Sequence, residues 1–78
     1  MSNNHFAARH AAQHFDTLLA DHTAKVRMPL AVARCLLLNH PRHDDGIQVW
    51  ETFAKSVGAG VYEVGLRKVP GSGVGATG

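Results

Sequence analysis

The sequence has 78 residues with a formal net charge of +2, and 45% of its residues are hydrophobic while 18% are charged. This balance excludes disorder over most of the chain, and the length predicts one domain over residues 1–69 that is marginally stable alone. The small net charge gives weak support for nucleic-acid binding, although the histidines would add positive charge near about pH 6.

The single cysteine, Cys35, excludes an internal disulfide and suits a reducing compartment. No stretch approaches the roughly 18 apolar residues that a membrane-spanning helix needs. The first residues also lack the basic and apolar regions of a signal peptide. We therefore expect a cytoplasmic protein without a membrane anchor.

A first helix is predicted over residues 5–27, with an asparagine at its N-cap. Lys25 and Arg27 suit the negative end of the helix dipole, and Pro29 disfavours helical geometry beyond them. One side of the helical wheel is apolar apart from a histidine, and it collects Ala8, Ala11, Ala12, Phe15, Leu18, Leu19, His22 and Val26.

A second helix is predicted to begin at Pro29, because a proline at the first helical position loses no needed N–H group. Its residues through Leu38 are apolar on every side except at Arg34, whose aliphatic stem would lie along apolar neighbours. A helix of this kind is expected at the centre of the core.

Residues 39–46 combine proline, glycine, aspartate and asparagine, which is typical of a loop. A third helix is predicted over residues 46–57. Asp45 and Gln48 resemble its capping box.

A competing interpretation makes residues 47–53 a strand and residues 57–60 the turn of a hairpin, since the segment is rich in strand-forming side chains. A two-residue alternation would then place Glu51 on the same face as Phe53. In a helix, Glu51 and Lys55 would instead form a favourable i,i+4 pair. We therefore prefer the helix.

Residues 61–69 alternate between apolar and polar side chains, which is typical of a strand. One face would carry Tyr62, Val64 and Leu66, and the other would carry Glu63, Gly65 and Arg67. Since no other segment reads convincingly as a strand beside it, its backbone groups would have no partner within the chain. Residues 70–78 are rich in glycine and are predicted to form a disordered tail.

The predicted fold class is α+β and mostly α, with three helices followed by one C-terminal strand that pairs with another subunit or partner. An exposed strand recruits partners through main-chain hydrogen bonds. A homodimer or a place in a larger complex is therefore expected.

The predicted function is that of a small non-catalytic protein–protein interaction module. Adaptors, assembly factors and small inhibitors of larger machines, such as those of phages or plasmids, match this description. The predicted partner-binding side chains are those of the strand: Tyr62, Val64 and Leu66 as anchors, with Arg67 and Lys68 as charges at the rim.

The alternative is a dimeric helical DNA-binding regulator. Lys25, Arg27, Arg34 and Arg42 follow one another without an intervening acid. Arg27, Arg42 and His43 are the predicted contacts to an anion or nucleic acid. Against this function, the second helix is too apolar to lie in a DNA groove, and the connection of about seven residues that follows it exceeds a helix-turn-helix turn.

A second alternative is a His-based metal-binding protein, because His10 and His14 stand four residues apart on the predicted first helix. The residues between them lack the glutamate of an HExxH element, so no metal site is assigned. Cys35 lies among leucines without a neighbouring base, and no other residue set indicates catalysis. Neither an enzymatic activity nor a cofactor is expected.

Overall fold

Two helices and four strands make up the chain in a computed structural model that describes residues 2–70, with side chains from residue 6 onward. In chain order the elements are α1 (Ser2–Ala20), β1 (Lys25–Pro29), α2 (Leu30–Asn39), β2 (Arg42–Asp44), β3 (Val49–Gly58) and β4 (Val61–Lys68). Residues 71–78 of the predicted tail lie outside the described residues.

The four strands form one antiparallel sheet in the order β1-β4-β3-β2. β3 and β4 are joined by a tight turn in which Gly58, Ala59 and Gly60 have φ angles of 96°, 56° and 76°. Glycine adopts such angles without steric cost, which favours a turn at this point. The prediction of a mostly α fold with three helices and one strand is therefore wrong.

The predicted third helix is a strand. Glu51 does lie on the same face as Val49 and Phe53, but that face points away from the helices. Arg67 opposite it pairs with its carboxylate at 2.7 Å. Because an antiparallel sheet can keep one face in water, apolar and charged side chains share that face without conflict. The hairpin interpretation is the correct one, with its turn at residues 58–60.

The predicted first helix is too long, because α1 ends at Ala20. The Oδ1 atom of Asp21 accepts hydrogen bonds from the hydroxyl and the backbone N–H of Thr23 at 2.7 and 3.0 Å, which turns the chain out of the helix. These bonds, the hydroxyl first, hold the pKa of the Asp21 carboxyl below its ordinary value. After this turn Val26 and Met28 of β1 lie under the helices.

The predicted second helix is confirmed as α2, and Pro29 precedes it as an extended N-cap residue with φ −70° and ψ 162°. Ala33 and Leu36 are buried, whereas Leu30 and Leu38 are 42% and 73% exposed. Only one side of α2 therefore packs in the core, although the helix is apolar on every side except at Arg34.

The predicted C-terminal strand is confirmed as β4, but it is an inner strand that pairs with β1 on one side and β3 on the other. The prediction that it needs a partner subunit for pairing is therefore wrong. Both helices cover the same face of the sheet. The buried core between these layers contains Ala11, Phe15, Leu18, Met28, Ala33, Leu36, Val64 and Leu66.

Candidate binding face on the open side of the sheet

The face of the sheet that the helices leave uncovered, here called the open face, is defined by the strand register. Residues directly opposite each other in antiparallel strands point to the same face. Val64 and Leu66 are buried under the helices and mark the helix side. The centre of the open face therefore carries Lys25, Arg27, Arg42, Glu51, Phe53, Lys55, Glu63, Gly65 and Arg67.

These residues form three rows across the strands, about 6.8 Å apart, the length of two strand residues. The outer rows are Arg67–Glu51–Arg42 and Arg27–Glu63–Lys55, and the middle row is Lys25–Gly65–Phe53. Each glutamate therefore lies between two cations. The three rows together hold five cations and two carboxylates, and Asp44 in the next row of β2 adds one further carboxylate.

One arginine pairs with each glutamate. Arg67 Nε donates a hydrogen bond to Glu51 Oε1 at 2.7 Å, and Arg27 Nε lies 3.6 Å from Glu63 Oε2. The two arginine side chains are still 60% and 69% exposed, so each pair is worth at most about 1 kcal/mol. Such pairs can open when another anion approaches.

Phe53 is the aromatic residue of the middle row. Its half-buried ring has Arg67 Cζ at 5.2 Å and Lys25 Nζ at 5.9 Å from its centroid, both within cation–π range. Gly65 separates Lys25 from the ring, and a Cβ atom there would lie 2.6 Å from Lys25 Cδ. The bare backbone at Gly65 is thus what allows the lysine stem to cross β4 and reach the ring.

The predicted strand anchors lie on the helix side of the sheet. Val64 and Leu66 are in the core, and Tyr62 is half-buried against it. Lys68 is on the same side, with its Nζ 5.8 Å from the centroid of the Trp50 ring. We propose no partner contact through Tyr62, Val64 or Leu66, because their side chains pack within this chain.

The predicted anion contacts are divided between the two faces. Arg27 and Arg42 lie on the open face. Arg67, which is predicted from the sequence as a rim charge of a protein interface, lies on the same face. His43 points to the opposite face, because its register partner is Trp50.

His43 belongs to an aromatic cluster that packs the end of α1 against β2 and the start of β3. His22 lies 4.4 Å from Trp50 and 5.9 Å from His43, measured between ring centroids. Phe15 stacks on His40 at 4.5 Å. The cluster fixes the position of β2, and with it the arginine that β2 presents on the open face.

The histidines do not assemble a metal site in residues 6–70. His10 packs edge-on against Phe6 with ring centroids 4.4 Å apart. No group of three or more histidine, cysteine, aspartate or glutamate side chains in this part of the chain is arranged to hold a metal ion.

Asp45 organises the turn between β2 and β3 instead of capping a helix, so the predicted capping box is wrong. Its Oδ2 atom accepts a hydrogen bond from Trp50 Nε1 at 3.0 Å, and its Oδ1 atom accepts from the backbone N–H groups of Ile47 and Gln48 at 2.8 and 2.7 Å. These bonds, led by the one from Trp50, lower the pKa of the Asp45 carboxyl to about 2.

Cys35 is half-buried in α2, and its Sγ atom accepts a hydrogen bond from Asn39 Nδ2 at 3.2 Å. A carboxamide cannot accept a thiol proton as a general base does, so this contact does not activate the sulfur. The open face, where cations and an aromatic ring lie together, is the candidate functional site.

Six residues of the open face are not among the site residues predicted from the sequence: Lys25, Glu51, Phe53, Lys55, Glu63 and Gly65. The sequence places the two lysines on helices and the phenylalanine in the core. One signal is present, because a glycine inside an alternating strand marks a close approach of another group. Identifying the groups that approach Gly65 requires the register of β4 with β1 and β3.

The fold and the open face define a two-layer α+β domain with a basic, aromatic-bearing sheet surface. Comparison of the chain with protein-family models, curated proteins and solved structures found no match to any of them. Neither helix in residues 2–70 has the length and apolar character needed to cross a membrane.

Proposed function

We propose that this is a small non-catalytic binding protein that engages an anionic polymer through its open face. The observation that carries the proposal is the set of three rows in which five cations surround two glutamates. The helices cover the other face of the sheet, so the open face is the broad sheet surface left for a partner.

The arrangement of charges favours an extended anionic partner. On a simple solvated face, alternating charges would neutralise one another row by row, whereas here each of the three central rows keeps one cation in excess. Small-molecule sites are usually concave, but this surface is a sheet face three to four strands wide. Strands about 4.8 Å apart spread these cations over a distance that suits a chain with repeated negative charges.

A charge-removal variant tests this function. Lys25→Gln with Lys55→Gln removes two cations of the open face and keeps most of each side-chain stem. We expect binding of a fluorescently labelled single-stranded oligothymidine to weaken about tenfold at low salt. The slope of log K against log salt should fall by about 1.4, because each lost phosphate contact contributes about 0.7. Fluorescence anisotropy at several salt concentrations measures both quantities.

The matched control is Arg9→Gln with Arg34→Gln, which removes two exposed cations from the helices. The net charge changes equally in the two variants, so a general electrostatic effect would weaken both to the same extent. Equal loss in the two variants, or no binding by the natural sequence, contradicts the proposal.

A second candidate function is binding of a protein strand along the free edge of β3, as an adaptor or assembly factor would. β2 covers β3 only at residues 49–51, and Thr52 N–H donates to the carbonyl of Pro41. No described strand pairs with that edge from residue 53 to residue 58, where Ala54 and Ser56 are exposed. A cytoplasmic location, suggested by one free cysteine, is part of both proposals.

A further inference from the structure

We propose that the anionic polymer is a single-stranded nucleic acid and that the Phe53 ring stacks on one of its bases. This inference rests on the proposed function, because it names the partner of the same open face. The observations behind it are the Phe53 ring and the two cations beside that ring, Lys25 and Arg67.

An aromatic ring flanked by cations suits the binding of a single strand. Their bases have free π-faces that stack on aromatic side chains, while basic side chains follow the phosphates. The Phe53 centroid lies 5.2 Å from Arg67 Cζ and 5.9 Å from Lys25 Nζ. A base on the ring would therefore bring its phosphates within reach of both cations.

Gly65 leaves room for this contact. No side chain stands between Phe53 and β1, and only the flexible stem of Lys25 crosses the gap. Lys25 is exposed, so its side chain can turn from the ring towards a phosphate and uncover the ring. Shielding of the bare Gly65 backbone accounts for an aromatic ring at this position, but it does not account for the excess of cations around that ring.

Two other anionic partners fit the surface less well. A duplex hides the faces of its bases in the stack, so Phe53 would have nothing to stack on. An acidic peptide would use the cations and leave the ring without a planar partner. Four-stranded sheets that read single strands place aromatic side chains on their open faces in this way.

The test compares a single-stranded oligothymidine with an abasic oligonucleotide of equal length, which keeps the phosphates and lacks the bases. We expect the natural sequence to bind the base-bearing strand at least about fivefold more tightly. Phe53→Leu, which keeps an apolar cover over Gly65, should lose between about fivefold and a hundredfold in affinity for that strand only. Phe53→Tyr should retain the affinity. Phe6→Leu, at a 63% exposed ring on α1, is the matched control and should change nothing.

Location is checked with backbone amide shifts in NMR. On addition of oligothymidine, the amides of Gly65 and Phe53 should shift while those of α2 stay in place. Circular dichroism establishes that each variant is folded at the assay temperature. Should Phe53→Leu unfold, the abasic comparison on the natural sequence and the Phe53→Tyr variant still decide the matter.

The possible outcomes separate base stacking, the choice of a single strand and the proposed function from one another. Equal affinity for the abasic and base-bearing strands overturns base stacking and leaves anionic-polymer binding intact. Equal or tighter binding of a duplex, or competition by polyglutamate as effective as that by oligothymidine, overturns the choice of a single strand. No binding of either oligonucleotide overturns the proposed function as well.

Discussion

At the scale of single residues, a few polar and small side chains determine which groups meet. Gly65 has no side chain, and this absence lets Lys25 on β1 approach Phe53 on β3 across the strand between them. Asp45 has a comparable effect on the turn before β3, where one carboxylate collects three donors. Gly65 is buried and Asp45 is exposed, yet each positions part of the sheet.

The Asp45 carboxyl gives a prediction about pH. Its folded-state pKa is about 2, below the ordinary value of 3.8, so the ionised group stabilises the folded state fully above about pH 4 and loses this effect as the pH falls towards 2. Asp45→Asn keeps an acceptor oxygen but cannot titrate. The variant should melt at a lower temperature than the natural sequence near neutral pH, and the difference should shrink between about pH 4 and pH 2.

Thermal unfolding followed by circular dichroism at several pH values measures this difference. Asp16→Asn, at an exposed position on α1, is the control and should leave the melting temperature nearly unchanged at each pH. A difference between Asp45→Asn and the natural sequence that stays constant down to pH 2 would show that the carboxylate charge is not what stabilises the turn.

At the scale of elements, the segments whose pattern is complete in itself are the ones that the sequence predicts. α2 is recognised from the proline directly before it and its run of apolar residues, and β4 is recognised from its two-residue alternation. β1 has only five residues, and its pairing partner β4 is far along the chain, so its lysine and arginine read as the end of a helix. β3 is misread because Glu51 looks misplaced until Arg67 is known to lie opposite.

The same reasoning applies to the candidate site. Arg27 and Arg42 can be selected from the sequence as anion contacts, because they are basic residues in a stretch without acids. Their placement in rows with Lys55 and Phe53 depends on four strands pairing in one register. Local patterns contain no information about that register.

The inner position of β4 makes Val64→Pro a severe change. Val64 is fully buried and lies opposite Val26 of β1, so proline removes a ladder hydrogen bond and a core side chain together. The lost hydrogen bond and the disturbed core packing together cost about 3 kcal/mol, which is much of the stability of so small a domain. We expect loss of helical circular dichroism as well as sheet signal, since α2 packs on this strand and α1 packs on α2.

Ser56→Pro is the matched control for this change. Thr52 directs its N–H away from β4, and the alternation along a strand gives Ser56 the same direction. Proline at residue 56 therefore removes no bond within the sheet, and the variant should keep its helical signal. A folded Val64→Pro variant would show that β4 is not an inner strand.

At the scale of the whole molecule, the sheet has one covered face, one open face and two edges of unequal character. Pro29 has no N–H group and ends β1 at one edge. At the other edge, β2 has three residues, so the side of β3 that faces away from β4 has no neighbour among the described strands in the second half of β3. The open face carries charged side chains. The free edge of β3 offers backbone groups flanked by the small side chains of Ala54 and Ser56, so the two surfaces suit different partners.

These two surfaces can be separated by experiment. If a second copy adds its strand to the free edge of β3, the natural sequence self-associates at high protein concentration, and the outward N–H of Ser56 is part of the contact. Sedimentation velocity should then show dimers that Ser56→Pro removes and that Lys25→Gln with Lys55→Gln leaves unchanged. Oligothymidine binding should respond in the opposite way, weakened about tenfold in the lysine variant and kept in the proline variant. A monomer at every concentration, or a dimer that survives Ser56→Pro, rules out self-association through this edge.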